Sequence, residues 1–400
     1  MTAIKLLARL WAQAESPRKF LDAPVDSPSS MALTTLLTGA TGFLGGAILA
    51  KLMMADAPQL PLLLVRGDCA STGLQRVRSN LLRFGIDETR LCRLNDAHIL
   101  SGDISDIAAF ASDSRLAAVE YVINCAAITS FSDHPDLWHV NVAGTLAFAR
   151  HLQRTADLKR FLHVGTAMAC GPQAGPFVAE DYVPPDEVTH IVPYTRTKME
   201  IERLLREQLP SLPLVVLRPS IVVGDSRFGC GPSYSIFWVF RLAQILEQFT
   251  YDLDDPIDVI PVDYVAEAVV HLMQKPVLRH DFYHISAGKQ CASTFREIDR
   301  ALADGFAVAP LGDRYRRASL EQITRRVLHI EGAFNPGEKR LLLKAIRLYG
   351  AFAELKMVFD NGRLLGEGMG LPPRFSDYAN VCARSCDGIP MSMQMAADFK

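Results

Sequence analysis

The sequence TLLTGATGFLGGAILAKL (residues 35–52) decides the fold. A β-type run ends at Thr38, three glycines follow at Gly39, Gly42 and Gly45, and a helical pattern begins. Glycine suits a chain that reverses sharply, approaches a pyrophosphate closely and packs a helix tightly on a strand. The helix N-terminus then offers free N–H groups and the positive end of its dipole to phosphates. We therefore predict a dinucleotide-binding turn here, with a plain glycine-rich turn as the alternative.

Short apolar runs alternate with helical stretches from residue 33 onward, a pattern typical of a parallel sheet covered on both faces, and the segments from residue 235 onward break this rhythm. We expect strands at 34–37, 61–65, 98–100, 121–124, 160–164 and 214–217, and helices at 44–54, 74–84, 140–155 and 195–208. We expect one apolar helix at 235–249. We also expect a short strand at 257–261, followed by a helix at 265–273. Beyond residue 300 the pattern indicates helices only, at 320–327 and 337–355.

The predicted fold class is α/β, a doubly wound parallel Rossmann sheet with a smaller, mainly helical C-terminal substrate-binding part. We expect the Rossmann domain at 33–290, with a substrate-lid insertion at about 223–256, and the helical part at 291–400. Residues 1–32 predict a short helix and a Pro- and Ser-rich linker. This helix either packs on the body or serves as a docking or membrane-surface element, because its Leu6, Leu7, Leu10 and Trp11 share one face.

The composition narrows the class of protein. A net charge of −2 over 400 residues leaves no basic excess for nucleic acid. The eight cysteines form no metal-binding pattern, so we expect no zinc or other metal, and reduced thiols in a cytoplasmic protein. No run of 18 apolar residues predicts a transmembrane segment, and the N-terminus lacks a secretory cleavage site. The oligomeric state is not predictable from these features.

The end of the second strand indicates which dinucleotide binds. Arg66 stands where an enzyme specific for NAD carries Asp or Glu, and a guanidinium there suits the 2′-phosphate of NADP(H). Arg76 follows ten residues later and can reach the same phosphate, although a solvated arginine is the alternative. After the third strand, Asp103 and Ile104 are placed to meet the adenine. After the fourth, the small Ala126 and Ala127 let the backbone run close under the cofactor.

Tyr194 and Lys198 form the candidate catalytic pair. Their i, i+4 spacing puts both side chains on one helical face. A phenol titrates near pH 10 in water, and a cation one turn away is expected to lower its pKa toward neutrality. The ammonium can also bind the nicotinamide ribose hydroxyls. A YxxxK match alone arises by chance, but Thr166, at the end of the fifth strand, supplies a second hydroxyl for a substrate carbonyl.

The motifs TGATGFLG, GDI, NVAGT, GTAMACG, YTRTK and LRPS, in this order, resemble the extended short-chain dehydrogenase/reductase superfamily. The segments 217–229, 257–270 and 359–378 are most similar to its thioester reductase and fatty acyl-CoA reductase branch, with the male-sterility-type NAD-binding domain. One departure is Gly165, where many relatives carry Ser. The resemblance implies the following cofactor contacts: the pyrophosphate at Thr41, Gly42, Phe43, Leu44 and Gly45, the 2′-phosphate at Arg66 and Arg76, the nicotinamide at Pro219, Ser220 and Val222, and support of the lysine helix by Asn141.

The resemblance implies an NADPH-dependent reductase of an acyl thioester, carried on coenzyme A or an acyl carrier protein, that forms an aldehyde and then an alcohol if a second hydride is transferred. Tyr194 would donate the proton, Thr166 would hold the carbonyl oxygen and Lys198 would orient the ribose. A ketone or alcohol dehydrogenase, a sugar-nucleotide epimerase or dehydratase, and a non-catalytic cofactor sensor stay open as alternatives. The apolar helix at 235–249 is either a core helix or an acyl tunnel wall made by Ile236, Phe237, Trp238 and Phe240.

Overall fold

A computed structural model describes residues 35–395, except 56, 58, 186, 331 and 333. The predicted N-terminal helix and linker therefore lie outside the described residues. The described residues form one compact unit, and the boundary expected near residue 290 stays a prediction. Among them, no helix combines the length and the apolarity needed to cross a bilayer.

A seven-stranded parallel sheet forms the centre of the molecule. Its strands are β1 (Thr35–Thr38), β2 (Leu62–Val65), β3 (Ile99–Ser101), β4 (Tyr121–Asn124), β5 (Arg160–Val164), β6 (Leu214–Pro219) and β7 (Phe282–Ile285). They lie in the order β7-β6-β5-β4-β1-β2-β3. The strand order reverses between β1 and β4, where Leu36 pairs with Val122. Ligands of such sheets bind beyond the carboxyl ends of the strands at this point. The predicted fold class is confirmed.

Fourteen α-helices lie within the described part of the chain: α1 (Phe43–Met54), α2 (Ala70–Leu82), α3 (Glu88–Leu91), α4 (Thr145–Thr155), α5 (Pro193–Gln208), α6 (Phe237–Leu246), α7 (Val262–Gln274), α8 (Gly288–Cys291), α9 (Phe295–Gly305), α10 (Leu320–His329), α11 (Pro336–Ala353), α12 (Gly362–Gly366), α13 (Phe375–Ser385) and α14 (Met391–Met395). A π-helical segment, His139–Gly144, leads into α4. Side chains of α1, α2 and α7 cover one face of the sheet, and α4 and α5 cover the other. Adjacent residues of β1 point to opposite faces of the sheet. Leu37 packs with side chains of α1, α2 and α7, and Leu36 packs with side chains of α4 and α5.

A further apolar core joins α6 to the helices of the C-terminal part. Trp238 and Phe240 of α6 pack there with side chains such as Phe295 of α9, Ile346 of α11 and Phe375 of α13. The smaller, mainly helical part is therefore built around α6, not only around residues after 290. This arrangement brings α11, which is distant in sequence, next to the carboxyl ends of the central strands.

Three sequence predictions needed correction. The helix expected at 235–249 ends at Leu246, because Glu247 takes a left-handed conformation (φ 56°) and residues 248–249 form a short strand beside Arg316–Arg317. The strand expected at 257–261 is two short strands, Pro256–Ile257 and Val259–Ile260, with Asp258 between them. The alternation also continues into β7, which the sequence analysis missed and which pairs in parallel with β6.

A segment near the C-terminus returns to the edge of the sheet. Val358–Phe359 pairs in parallel with Phe177–Val178. The buried Asp258 accepts hydrogen bonds from the backbone N–H groups of Ala287 (2.7 Å) and Phe359 (3.0 Å). Glu180 accepts from the backbone N–H groups of His284 (3.0 Å) and Arg363 (2.7 Å). Two carboxylates thus tie residues 359–363 to β7 and to the chain that follows it.

Candidate active site

One cavity of about 580 Å³ runs from the glycine turn, past the carboxyl ends of the central strands, to the C-terminal helices. The lining includes nearly all of the predicted site residues: Gly39, Thr41, Gly42, Phe43, Leu44, Gly45, Arg66, Asp103, Ile104, Ala126, Ala127, Thr166, Tyr194, Lys198, Pro219, Ser220 and Val222. The structure thus brings together segments that are far apart in the sequence. Arg76 and Asn141 are the two predicted site residues that do not line the cavity.

The glycine turn is shaped by close backbone approaches. A Cβ atom at Gly45 would lie 2.3 Å from the carbonyl oxygen of Gly39, so α1 can begin against the turn only with glycine there. Gly39 itself has φ 76°, a conformation that favours glycine, and its α-carbon faces the backbone of Cys125 and Ala126. The first turn of α1 has no side-chain cap and no acidic residue. The turn therefore leaves N–H groups available to an anion.

Asn80 is a structural residue of this turn that the sequence analysis missed. Its amide group, on α2, donates hydrogen bonds to the carbonyl oxygens of Ala40 (3.0 Å) and Gly42 (2.9 Å). The signal was a polar residue on the otherwise apolar face that Leu74, Val77 and Leu81 form. Asn80 thus fixes the loop that would hold the pyrophosphate.

Thr38 and Asn124 close the floor of the cavity between β1 and β4. The Thr38 hydroxyl donates to the Asn124 amide oxygen at 2.7 Å and accepts from the backbone N–H groups of Cys125 (3.1 Å) and Ala126 (2.9 Å). These bonds hold the small residues after β4 against the glycine turn. That the backbone there runs close under a bound cofactor stays a prediction.

Arg66 lines the far end of the cavity, and Arg76 lies beside it without lining the cavity. The Arg76 guanidinium donates to the Arg66 carbonyl oxygen. The Arg66 side chain is 71% exposed and its Nε lies 3.9 Å from the Asp103 carboxylate. Asp103 also accepts from the backbone N–H (2.8 Å) and the hydroxyl (2.6 Å) of Ser105. Two cationic side chains thus stand beyond β2, open to an anionic group.

Tyr194 and Lys198 project from the start of α5 toward the carboxyl end of β5. The Lys198 ammonium is buried and donates to the carbonyl oxygen of Val164 at 2.8 Å. Thr166 follows two residues after Val164 and lines the same cavity. Its hydroxyl oxygen accepts weakly from the backbone N–H of Met168, at 3.4 Å. The site therefore holds a phenol, an ammonium and a second hydroxyl around one space.

The electrostatics of this pair differ from the sequence expectation in one respect. Burial raises the pKa of the Tyr194 phenol, and the Glu202 carboxylate raises it further, so the ammonium of Lys198 does not bring that pKa toward neutrality. Burial lowers the pKa of Lys198 from 10.5 to about 8, against the opposing influence of Glu202 and Cys125. Tyr194 is therefore protonated at neutral pH, as a proton donor must be.

Asn141 lies behind the cavity wall. Its amide oxygen accepts from the backbone N–H of Ile128 (2.8 Å), and its amide nitrogen donates to the Ile128 carbonyl oxygen (2.9 Å) and the Thr197 hydroxyl (3.2 Å). Ile128 lines the cavity and Thr197 precedes Lys198 on α5. This position matches the support of the lysine helix that the resemblance implied, with no side-chain contact to the cavity itself.

An aromatic wall, which we define as Phe131, Tyr349 and Phe352, faces the catalytic pair. The Phe131 ring stacks on Tyr194 with centroids 6.1 Å apart, and its centroid lies 4.8 Å from that of Tyr349 and 5.2 Å from that of Phe352. All three side chains line the cavity. No sequence pattern predicts this wall, because it joins a loop after β4 to the end of α11.

Of the four residues predicted to wall a tunnel, two line the cavity and two do not. Ile236 and Phe240 line the cavity together with Val239. Phe237 and Trp238 are fully buried in the helical core instead, and the Trp238 ring packs edge-on against Tyr349 with centroids 5.0 Å apart. The helical period explains the difference, since positions 236, 239 and 240 share one face and 237 and 238 point away from it.

Two observations bear on metals and thiols. No three His, Cys, Asp or Glu side chains are grouped to hold a metal ion anywhere in the described residues. All eight cysteines are free thiols. Cys170 and Cys230 are fully buried and neither lines the cavity. Cys125 is the only thiol in the lining among the described residues.

Comparison with known proteins identifies the class. The fold and the family match together define an NAD(P)-dependent oxidoreductase of the extended short-chain dehydrogenase/reductase type. Residues 37–269 match the NAD-binding family described as male sterility protein. The chain belongs to that family.

The relatives include enzymes that stand alone and parts of larger synthetases. The chain is 26% identical over 367 residues to probable fatty acyl-CoA reductase 5 of Arabidopsis thaliana, covering 73% of each chain. It is 24% identical to the non-canonical nonribosomal peptide synthetase FrzA of Cladobotryum sp., covering 73% of this chain and 30% of the synthetase. Among solved structures, the terminal R domain from the myxalamid PKS-NRPS biosynthetic pathway has the same fold, with a TM-score of 0.72, 24% identity and coverage of 90% and 92%.

Proposed function

We propose that this protein reduces an acyl thioester to an aldehyde with NADPH. The observation that carries the proposal is the single cavity that joins the glycine turn, Tyr194 and the aromatic wall. A flat dinucleotide fits the end shaped by glycines and small residues. The opposite end is lined by aromatic and aliphatic side chains, which suit an acyl group. Relatives described as a fatty acyl-CoA reductase and a peptide synthetase support a thioester as the substrate.

The roles proposed for the chain's own residues follow from their positions. Bound NADPH supplies the hydride that reaches the thioester carbonyl carbon. Tyr194 and Thr166 hold the carbonyl oxygen, and Tyr194 gives it a proton as negative charge develops. Lys198 would hold the nicotinamide ribose through its ammonium group. The resulting hemithioacetal then returns its hydroxyl proton to the Tyr194 phenolate as the carbon–sulfur bond breaks. The departing thiolate takes a proton from solvent, which leaves the aldehyde and the free thiol. No residue has to form a covalent bond with the acyl group.

The choice of NADPH over NADH rests on Arg66, with Arg76 beside it. A charge-assisted hydrogen bond to phosphate contributes about 1.5–3 kcal/mol, and the exposure of Arg66 favours the lower part of that range. We expect Arg66→Asp to weaken NADPH binding by about tenfold or more and to leave NADH binding nearly unchanged. Fluorescence titration with both cofactors measures this. Arg154→Asp, on the far part of α4, is the matched control and should leave both affinities unchanged. An unaltered protein that prefers NADH would contradict the assignment.

The substrate class is tested with acyl-CoA thioesters of four to sixteen carbons beside a set of ketones, by following NADPH consumption and identifying the products. Each buried methylene contributes about 0.8 kcal/mol, so two more carbons should raise kcat/KM by about tenfold until the cavity is full. Turnover of a ketone with no turnover of any thioester would remove the thioester proposal.

Phe352 links that chain-length dependence to the aromatic wall. We expect Phe352→Ala to flatten the rise of kcat/KM with acyl length and to leave NADPH affinity unchanged, because Phe352 lies away from the glycine turn. Phe177→Ala is the control, since Phe177 is an exposed phenylalanine outside the cavity. An unchanged slope in the Phe352 variant would mean that the acyl chain binds elsewhere.

A further inference from the structure

We propose that Glu202 is a positioning residue of the active site, whose buried carboxylate keeps the Lys198 ammonium charged during cofactor binding. The inference rests on the role proposed above for Lys198. It adds a residue that the YxxxK pattern does not contain and that does not line the cavity. The carrying observation is a buried carboxylate one helical turn beyond Lys198, in the space beside Gly165, which carries no side chain.

Glu202 continues the catalytic face of α5. Tyr194, Lys198 and Glu202 follow one another at intervals of four residues, so their side chains lie along one face of the helix. Glu202 is only 4% exposed. Its carboxylate accepts three hydrogen bonds from the Arg218 guanidinium of β6: Nε donates to Oε1 (3.2 Å) and Oε2 (2.9 Å), and Nη2 donates to Oε2 (2.5 Å). The carboxylate is thus held in one place between α5 and the sheet.

The glycine at position 165 gives the second, independent observation. A Cβ atom there would lie 2.2 Å from Oε1 of Glu202. Gly165 sits between Val164, whose carbonyl oxygen accepts from Lys198, and Thr166. The carboxylate of Glu202 thus occupies the space that a side chain at position 165 would need.

The charges around Lys198 show what the carboxylate does. Arg218 is a second buried cation, bonded to the same carboxylate. Burial lowers the pKa of His163 well below its usual value, and Lys198 and Arg218 lower it further. His163 is thus neutral, and burial also raises the pKa of Cys125 and of Tyr194, so both stay uncharged. Glu202 is therefore the balancing negative charge among these groups. Without it, two cations would share a dry space.

The consequence is a dependence on pH with a definite sign. Burial disfavours the ammonium of Lys198 and the carboxylate favours it, so the charged form persists to higher pH when Glu202 is ionised. Cofactor binding by the free enzyme should weaken as the pH rises through the pKa of Lys198, about 8. We expect Glu202→Gln to move this transition to lower pH by about one to three units, the usual effect of an adjacent opposite charge.

The test measures the NADPH dissociation constant by fluorescence from pH 6 to pH 10, without turnover, and the pH profile of kcat beside it. Arg218→Met removes the competing cation and should move the transition to higher pH. The double variant, Glu202→Gln with Arg218→Met, removes both charges. Its transition should lie close to the pH at which the unaltered protein has its own. Opposite shifts in the single variants, cancelling in the double variant, cannot come from a packing role alone.

Two further variants separate the possible failures. Glu202→Asp keeps the charge and should keep the transition at higher pH than Glu202→Gln does. If Glu202→Gln does not fold, the Arg218→Met and double variants still decide the sign. Lys198→Met should weaken NADPH binding below pH 8 and remove the transition itself; if it does neither, the proposed role of Lys198 fails. If Lys198→Met behaves as expected but no variant at 202 or 218 shifts the transition, the inference about Glu202 is wrong and the role of Lys198 stands.

Discussion

Tyr194→Phe should lower turnover by about two to four decades while NADPH still binds with nearly unchanged affinity. The substitution keeps the ring that stacks on Phe131 and removes only the hydroxyl. Because burial and Glu202 hold the pKa of the phenol above its usual value, Tyr194 enters the reaction protonated. Losing that proton removes stabilisation in the transition state rather than in the ground state. Single-turnover measurement of NADPH oxidation with a saturating acyl thioester gives the rate of the chemical step.

Tyr121→Phe provides the matched control. Tyr121 is the first residue of β4, so it lies at the amino end of that strand, away from the cavity at the carboxyl ends. Its substitution also removes a single hydroxyl. We expect this variant to turn over at the normal rate. A Tyr194→Phe enzyme that keeps its rate would show that the proton comes from another group, and the assignment of Tyr194 would be wrong. A loss of NADPH binding would point instead to a structural role of the hydroxyl.

Gly45→Ala should reduce NADPH affinity by about a hundredfold and destabilise the protein by about 1–3 kcal/mol or more. The added methyl group would lie 2.3 Å from the carbonyl oxygen and 2.6 Å from the carbonyl carbon of Gly39. These are backbone atoms at the centre of the turn, so relief requires the turn or the start of α1 to move. That movement displaces the N–H groups that would bind the pyrophosphate. Thermal unfolding and cofactor titration measure the two effects separately.

Gly366→Ala is the control for this substitution. Gly366 ends α12, has no positive φ, and a Cβ atom there would meet nothing within 4 Å. Its substitution should leave cofactor affinity unchanged and unfolding nearly so. If Gly45→Ala binds NADPH normally and unfolds at the normal temperature, the turn tolerates a side chain and does not hold a pyrophosphate closely.

Local patterns predicted the sheet and most of its helices because each element carries its own period and its own turn residues. Such local patterns predicted the glycine turn, the alternation up to β6, and the helices α10 and α11. β7 was missed because Phe282–Ile285 is short and contains a histidine in its buried part. The α6 boundary was misplaced because the left-handed residue there, Glu247, is not a glycine. In both cases tertiary contacts decide the local structure.

The site divides in the same way. Residues that belong to contiguous motifs, such as Gly45, Arg66 and Tyr194, were found from the sequence because the motif itself states the chemistry. Asn80 and Glu202 act through hydrogen bonds to segments far away in the chain, and their only signal was a polar residue on a buried helical face. Phe131 and Tyr349 carried no signal, since the wall exists only once α11 lies beside the sheet.

The tie between residues 359–363 and the sheet has a consequence for biosynthesis. Phe359 and Arg363 satisfy Asp258 and Glu180, two carboxylates that belong to the earlier part of the chain. A nascent chain still shorter than this segment leaves both carboxylates without these partners and leaves Phe177–Val178 unpaired. This edge can therefore close only after residues 359–363 have left the ribosome. The strands β1 to β6 precede that segment in the chain and can pair earlier in synthesis, so the edge at β7 is completed later than the rest of the sheet.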